Sequence, residues 1–131
     1  MTNERPRQFA LQFLQIIVAL LMFIHGATRV YLGLVDDFGE FLTLKNLPLG
    51  FYMAWAITIF EIVGSVLLVI GFYVAPLAIV FAAHLLCGIF LVHLKDGWFV
   101  VGAGRNGVEF SVLLIACFIA LAISYFGKNK Y

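Results

Sequence analysis

Four long apolar blocks, separated by short polar interruptions, make up most of this chain. They run from about Phe9 to Val30, Phe51 to Phe72, Pro76 to Leu94 and Val108 to Phe126. Each is about 20 residues long, the length an α-helix needs to cross the hydrocarbon core of a bilayer. In lipid every backbone polar group must be satisfied within the protein, which favours helices. The pattern therefore predicts an all-α fold: a polytopic membrane protein built as an antiparallel four-transmembrane-helix bundle, with one domain over residues 1–131. Between the second and third blocks only the turn around Gly71 to Pro76 intervenes. Glycine ends helices and proline suits a first turn, so these two spans are expected to form a tight hairpin. Gly64, Ser65 and Gly88 would let helices approach closely. The first connection, around Asp37 to Leu49 with Pro48, is expected to lie against the membrane surface as a local kinked or interfacial segment. The first block is not a cleaved signal peptide: it is too long, lacks a small-residue cleavage site and carries His25 and Arg29 at its outer end.

Composition sharpens this picture. The chain is 64% hydrophobic and only 11% charged, against about half and about a quarter in soluble domains. The lipid bilayer is therefore its expected partner. A net charge of +1 excludes a strongly basic nucleic-acid binder. An even number of spans puts both termini on one side, where Arg5, Arg7, Lys128 and Lys130 cluster. The other side carries Arg29, Lys45, Lys95 and Arg105, with Asp36, Asp37, Glu40 and Asp96. Acidic residues weigh little in this rule. The terminal basic residues place both termini in the cytoplasm. Cys87 and Cys117 form no metal or C-x-x-C spacing. They read as small apolar packing residues, with a redox pair between neighbouring helices as the alternative.

Ionisable groups within membrane helices are costly and need a partner or a purpose. His25 and Arg29 are four apart and share a helix face. Arg29 reads either as a headgroup-level residue that snorkels or as the partner of a carboxylate. Glu61 lies near the middle of the second span. A lone carboxylate there is prohibitive, so it must be protonated, paired with Arg29 or bonded to histidine. It is either structural or a proton-handling or ligand-binding group. His84 shares a face with Cys87 and Gly88 and reads first as a hydrogen-bonded core residue. His93, nine residues on, falls on the opposite face, so the two are not one metal site, and no metal site is expected. Around His93 the chain turns polar, in "HLKDGWFVVGAGRNGVEF" over residues 93–110. Trp98 and Phe99 suit the membrane interface. The glycines at 97, 102, 104 and 107 allow tight turns. Glu109 falls in the first turn of the fourth helix, where a carboxylate favours the N-terminal dipole; from there it could reach Arg29 or Arg105. This loop is expected to deliver His93 and Glu109 to an outer polar cluster with His25, Arg29 and Glu61.

An early Arg5, then "HGATR" at 25–29, "EIVGSVLLVIG" at 61–71 and the 93–110 stretch occur in this order. In this the chain resembles the DoxX family of small four-helix membrane proteins, over nearly its whole length. His25, Gly26, Arg29, Glu61, Gly64, Gly71, Gly97, Gly107 and Glu109 match the family pattern. Two departures stand out: the "FYVAPLA" turn lacks the basic residue common there, and Ser65 stands where glycine is common. The resemblance implies an inner-membrane protein. Some members are subunits of thiosulfate:quinone oxidoreductase, others are linked to membrane redox complexes and oxidative-stress defence, and distant relatives are chaperones or cargo receptors.

Two functions follow as expectations. One is a membrane subunit of a quinone-linked redox complex, with a polar cavity in the outer half of the bundle formed from His25, Arg29, Glu61, His84, His93 and Glu109. Its cofactor would be a quinone, and a partner protein would supply electrons, because the chain has no haem, flavin, iron–sulfur or metal motif. The other is a non-enzymatic scaffold, assembly factor or chaperone, working with a partner protein or as a homo-oligomer, in which the polar residues join helices. A transporter is the weaker third reading, since a pathway would need an oligomer.

Overall fold

A computed structural model describes residues 3–102 and 105–126. The described residues are helical, without strands: α1 (Glu4–Tyr31), α2 (Val35–Leu44), α3 (Gly50–Ile70), α4 (Val74–Gly88) and α5 (Glu109–Tyr125). Beyond Gly88 the helix continues as a π-helical turn, Ile89–His93, and a 3₁₀ turn, Leu94–Asp96. Among the described residues three helical stretches are long and apolar enough to cross a membrane: Glu4–Tyr31, Gly50–Ile70 and Val74–Asp96. The fourth apolar block forms α5, which has 17 residues. That is about 25 Å of helix, a little short of a typical bilayer core. Gly104, Lys128 and Lys130 lie outside the described residues.

The chain divides into two compact units, Met1–Phe72 and Tyr73–Tyr131. In the first, α1 starts before its apolar block. The Asn3 side chain accepts from the Arg5 amide at 3.3 Å, and Pro6 is tolerated in a first turn because its missing N–H has no intrahelical partner there. Beyond Tyr31 the chain reverses and enters α2. This helix buries Val35, Gly39 and Leu42 and exposes Asp36, Asp37 and Glu40. The segment expected to lie at the surface is thus a short amphipathic helix. It packs on the start of α3, where Gly39 and Gly50 meet. A Cβ at Gly50 would collide with the Thr43 hydroxyl and the Gly39 carbonyl.

Helices α1 and α3 form the core of this unit and run antiparallel: Arg29 meets Thr58 and Glu61, whereas Gln15 meets Leu68. Val18, Ala19 and Met22 of α1 are buried, as are Ala54 and Leu68 of α3. The buried Gln15 amide donates to the Leu68 carbonyl at 2.5 Å, which satisfies a polar group that would be expensive to leave unpaired. Gly71, with φ at 90°, ends α3 in the left-handed region that glycine adopts without strain.

In the second unit α4 and α5 run antiparallel. Phe81 stacks on Phe118 with ring centroids 5.0 Å apart, and His93 lies against Asn106. This register puts Cys117 at about the level of Ala82, more than a helical turn along α4 from Cys87. The two cysteines therefore do not share a level, and both are free thiols. Cys87 is exposed and only Cys117 is partly enclosed, so the packing role expected of both fits Cys117 better.

Candidate functional site

The polar centre of the first unit is built on a missing methyl group. A Cβ at Gly26 would sit 2.9 Å from Ile62 Cγ1 and 3.1 Å from both Glu61 Cβ and the Thr58 carbonyl oxygen. With hydrogen there, α1 lies directly against α3. Arg29, one turn further along the same face, then reaches across. Its Nη1 donates to Glu61 Oε2 at 2.9 Å and to Thr58 Oγ1 at 3.0 Å. The Thr58 hydroxyl donates in turn to the Ala54 carbonyl at 2.7 Å, so its oxygen is left to accept from Arg29. Ser65 donates to the Glu61 backbone carbonyl. The pairing with Arg29 expected for Glu61 is present.

This ion pair is asymmetric in burial. The Arg29 side chain is 19% exposed and that of Glu61 only 3%. Arginine does not shed its proton in proteins. The pair is neutral only with Glu61 as a carboxylate, and protonating Glu61 would leave the guanidinium without a counter-ion in an apolar setting. Phe38 of α2 covers the guanidinium, with Cζ 4.5 Å from the ring centroid, a cation–π contact that also fixes the plane of the group. Arg29 thereby ties all three helices of the unit together.

Beside Arg29 a groove of about 610 Å³ opens between α1 and α2. Leu21, Ile24, Leu34 and Phe38 supply its apolar lining, and His25, Thr28, Arg29 and Asp37 its polar lining. Of the guanidinium's five N–H groups, those of Nη1 serve Thr58 and Glu61; among the described residues none accepts a hydrogen bond from Nε or Nη2.

The remaining candidates belong to the second unit. His84 is half-buried on α4. His93 closes the π-helical turn, and its Nδ1 lies 2.9 Å from the Asn106 carbonyl oxygen. A carbonyl only accepts, so Nδ1 carries the proton and a neutral His93 presents Nε2 as an acceptor. Glu109 begins α5 as expected. Its Oε1 accepts from the consecutive amides of Val100 and Val101 at 2.7 and 2.5 Å, so the carboxylate is occupied by its own loop. The loop is further fixed by bonds from Val108 and Glu109 N–H to the Gly97 and Trp98 carbonyls, both 3.0 Å. Gly107 is buried there: a Cβ would come within 2.6 Å of Trp98 and Phe99 backbone atoms. Glu109→Ala should leave the Val100 and Val101 amides without their acceptor. Hydrogen exchange at these two positions should accelerate, with a loss of about 1.5–3 kcal/mol of local stability. Glu109→Gln, which keeps an acceptor oxygen, should retain most of the protection; equal exchange in wild type and Glu109→Ala would remove this bracing role.

Sequence reasoning passed over Thr58, Phe38 and Asp37. Thr58 had a signal, since it lies three residues before Glu61 and so on the same helix face. Phe38 and Asp37 had none, because they reach Arg29 only through the chain reversal after α1.

Long apolar helices with a buried ion pair between them define a multi-pass helical membrane protein. The chain belongs to the DoxX family, whose profile matches residues 10–94. That range includes His25, Arg29, Glu61, His84 and His93, and stops short of Glu109. The chain is also 27% identical, over 132 residues, to an uncharacterized protein of Haemophilus influenzae; the match covers 98% of this chain and 95% of that protein. No solved structure matches the chain.

Proposed function

We propose that the groove beside Arg29 binds the polar head of a lipophilic small molecule of the quinone type, and that the protein is a membrane subunit of a redox complex. The observation that carries this reading is an apolar groove with polar residues, His25 and Arg29 among them, along one side. Arg29 donates to a carbonyl of the head. His25 exchanges hydrogen bonds, and a proton on reduction, with the same head. Glu61 and Thr58 hold Arg29 in place; because Glu61 balances the arginine charge, it is a positioning group here, and His25 is the proton-handling one. Electrons come from a partner protein. In this reading His84, His93 and Glu109 carry no chemical step. The chain acts as one domain over residues 1–131 of a bacterial-type inner membrane, with α5 as the fourth crossing of an antiparallel bundle and both termini cytoplasmic.

A second reading, a scaffold, assembly factor or chaperone, is favoured by the satisfied Arg29–Glu61 pair, which joins helices whatever else it does. Trp98, Phe99 and Val101, exposed on the braced loop, would then face a partner protein or a second copy.

Extraction in native nanodiscs followed by mass spectrometry of organic-soluble molecules separates the two. A near-stoichiometric quinone is expected with wild type, with a loss of at least about tenfold in His25→Phe, which fills the groove and removes its hydrogen bonds. Wild type carrying no such molecule would favour the scaffold.

A further inference from the structure

The charges around the groove do not suit every amphiphile. Arg29 is its one full positive charge among the lining residues, and Glu61 already neutralises it at 2.9 Å. Asp37 also lines the groove. It sits in the first turn of α2, with Asp36 beside it and Glu40 one turn on, all exposed. Arg29 and Glu61 cancel, so beside a neutral His25 the Asp37 carboxylate leaves the lining with a net negative charge. Yet Arg29 keeps N–H donors on Nε and Nη2 for a guest. A site with donors and no surplus positive charge favours a neutral acceptor, such as a carbonyl, over a carboxylate or phosphate. An anionic head would gain hydrogen bonds from Arg29, whose charge Glu61 already offsets, and meet repulsion from Asp37.

We infer that the groove selects a neutral, hydrogen-bond-accepting head over an anionic one, with Asp37 as the residue that excludes the anion. This rests on the small-molecule reading of the same groove. It separates a quinone from fatty acids and anionic lipids, which also carry long hydrocarbon tails. Chain length contributes nothing to this choice; the head group decides it.

The test compares two probes with similar tails, a decyl benzoquinone and dodecanoate. Each is titrated into full-length protein in nanodiscs of zwitterionic lipid, with the uptake of empty nanodiscs subtracted. The readout is the ratio of the two affinities. Wild type is expected to prefer the quinone by about tenfold or more, the scale of one nearby like charge in a partly solvated site. Asp37→Asn should reduce the ratio by about tenfold. Asp36→Asn removes an equal charge from a neighbour that does not line the groove, and should change it by no more than about twofold. Raising the salt concentration should also narrow the wild-type preference, a readout that needs no variant. Equal binding of both probes to wild type at low salt, an unchanged ratio in Asp37→Asn, or an equal effect of Asp36→Asn would each overturn the role of Asp37 while leaving the groove as a binding site. Saturable binding of neither probe would overturn the small-molecule reading and this inference together.

Discussion

Arg29→Met should destabilise the first unit by about 3–5 kcal/mol, the usual consequence of removing one partner from a buried ion pair. The size follows from which charge is stranded. Glu61 is the deeper partner, 3% exposed, in the middle of α3. Without Arg29 it must either persist as an unpaired carboxylate or take up a proton, and both are unfavourable relative to the pair. Glu61→Gln should cost less. It strands Arg29, which is 19% exposed and stands in the last turn of α1, where a long side chain can turn towards headgroups and its charge suits the helix C-terminus. The double variant Arg29→Met with Glu61→Gln should recover most of the loss, because neither charge then remains. Reversible unfolding in mixed micelles measures all three against wild type. A double variant whose loss equals the sum of the two single losses would mean that the pair is not a coupled unit.

The same pair shows what could be read from sequence. Arg29 was one of the two partners open to Glu61, the other being histidine, because an embedded carboxylate demands one and few cations are embedded. The three long spans were legible because lipid requires unbroken apolar length. Their ends were less so: α1 begins at Glu4, not at the first apolar residue, since a helix continues for as long as its backbone bonds do, whether or not its side chains are apolar. The fourth block was legible as an apolar helix, but its 17 residues make it the shortest of the four. Helix α2 was obscured by its acids. Asp36, Asp37 and Glu40 make the segment look like a loop, although Val35, Gly39 and Leu42 recur at helical spacing on its buried side. Glu109 was placed correctly in a first helical turn, but its partners are backbone amides, which composition cannot reveal. From there it could reach Arg29 or Arg105 by sequence alone; what the structure adds is its hold on the Val100–Val101 turn.

Gly26→Leu should cost as much as the loss of Arg29 itself, and for a connected reason. Helix propensity alone predicts a gain, since replacing an interior glycine favours a helix by up to about 1 kcal/mol. Packing opposes it. Even the Cβ would meet the Thr58 carbonyl at 3.1 Å and Ile62 Cγ1 at 2.9 Å, and the first is backbone that moves only if α3 moves. Gly26→Ala should therefore lose about 1–3 kcal/mol, the range for overpacking a close contact. Leucine adds three more carbons at the same point and must push α1 away from α3. Arg29 then loses its reach to Thr58 and Glu61, because its bonds at 3.0 and 2.9 Å have little slack. The decisive measurement is a cycle with Arg29→Met. If Gly26 sets the reach of the arginine, Arg29→Met should change stability by less than about 1 kcal/mol in the Gly26→Leu background, against about 3–5 kcal/mol in wild type. A full and additive loss in both backgrounds would mean that the ion pair forms without the close approach, and that the glycine serves only the packing of α1 on α3.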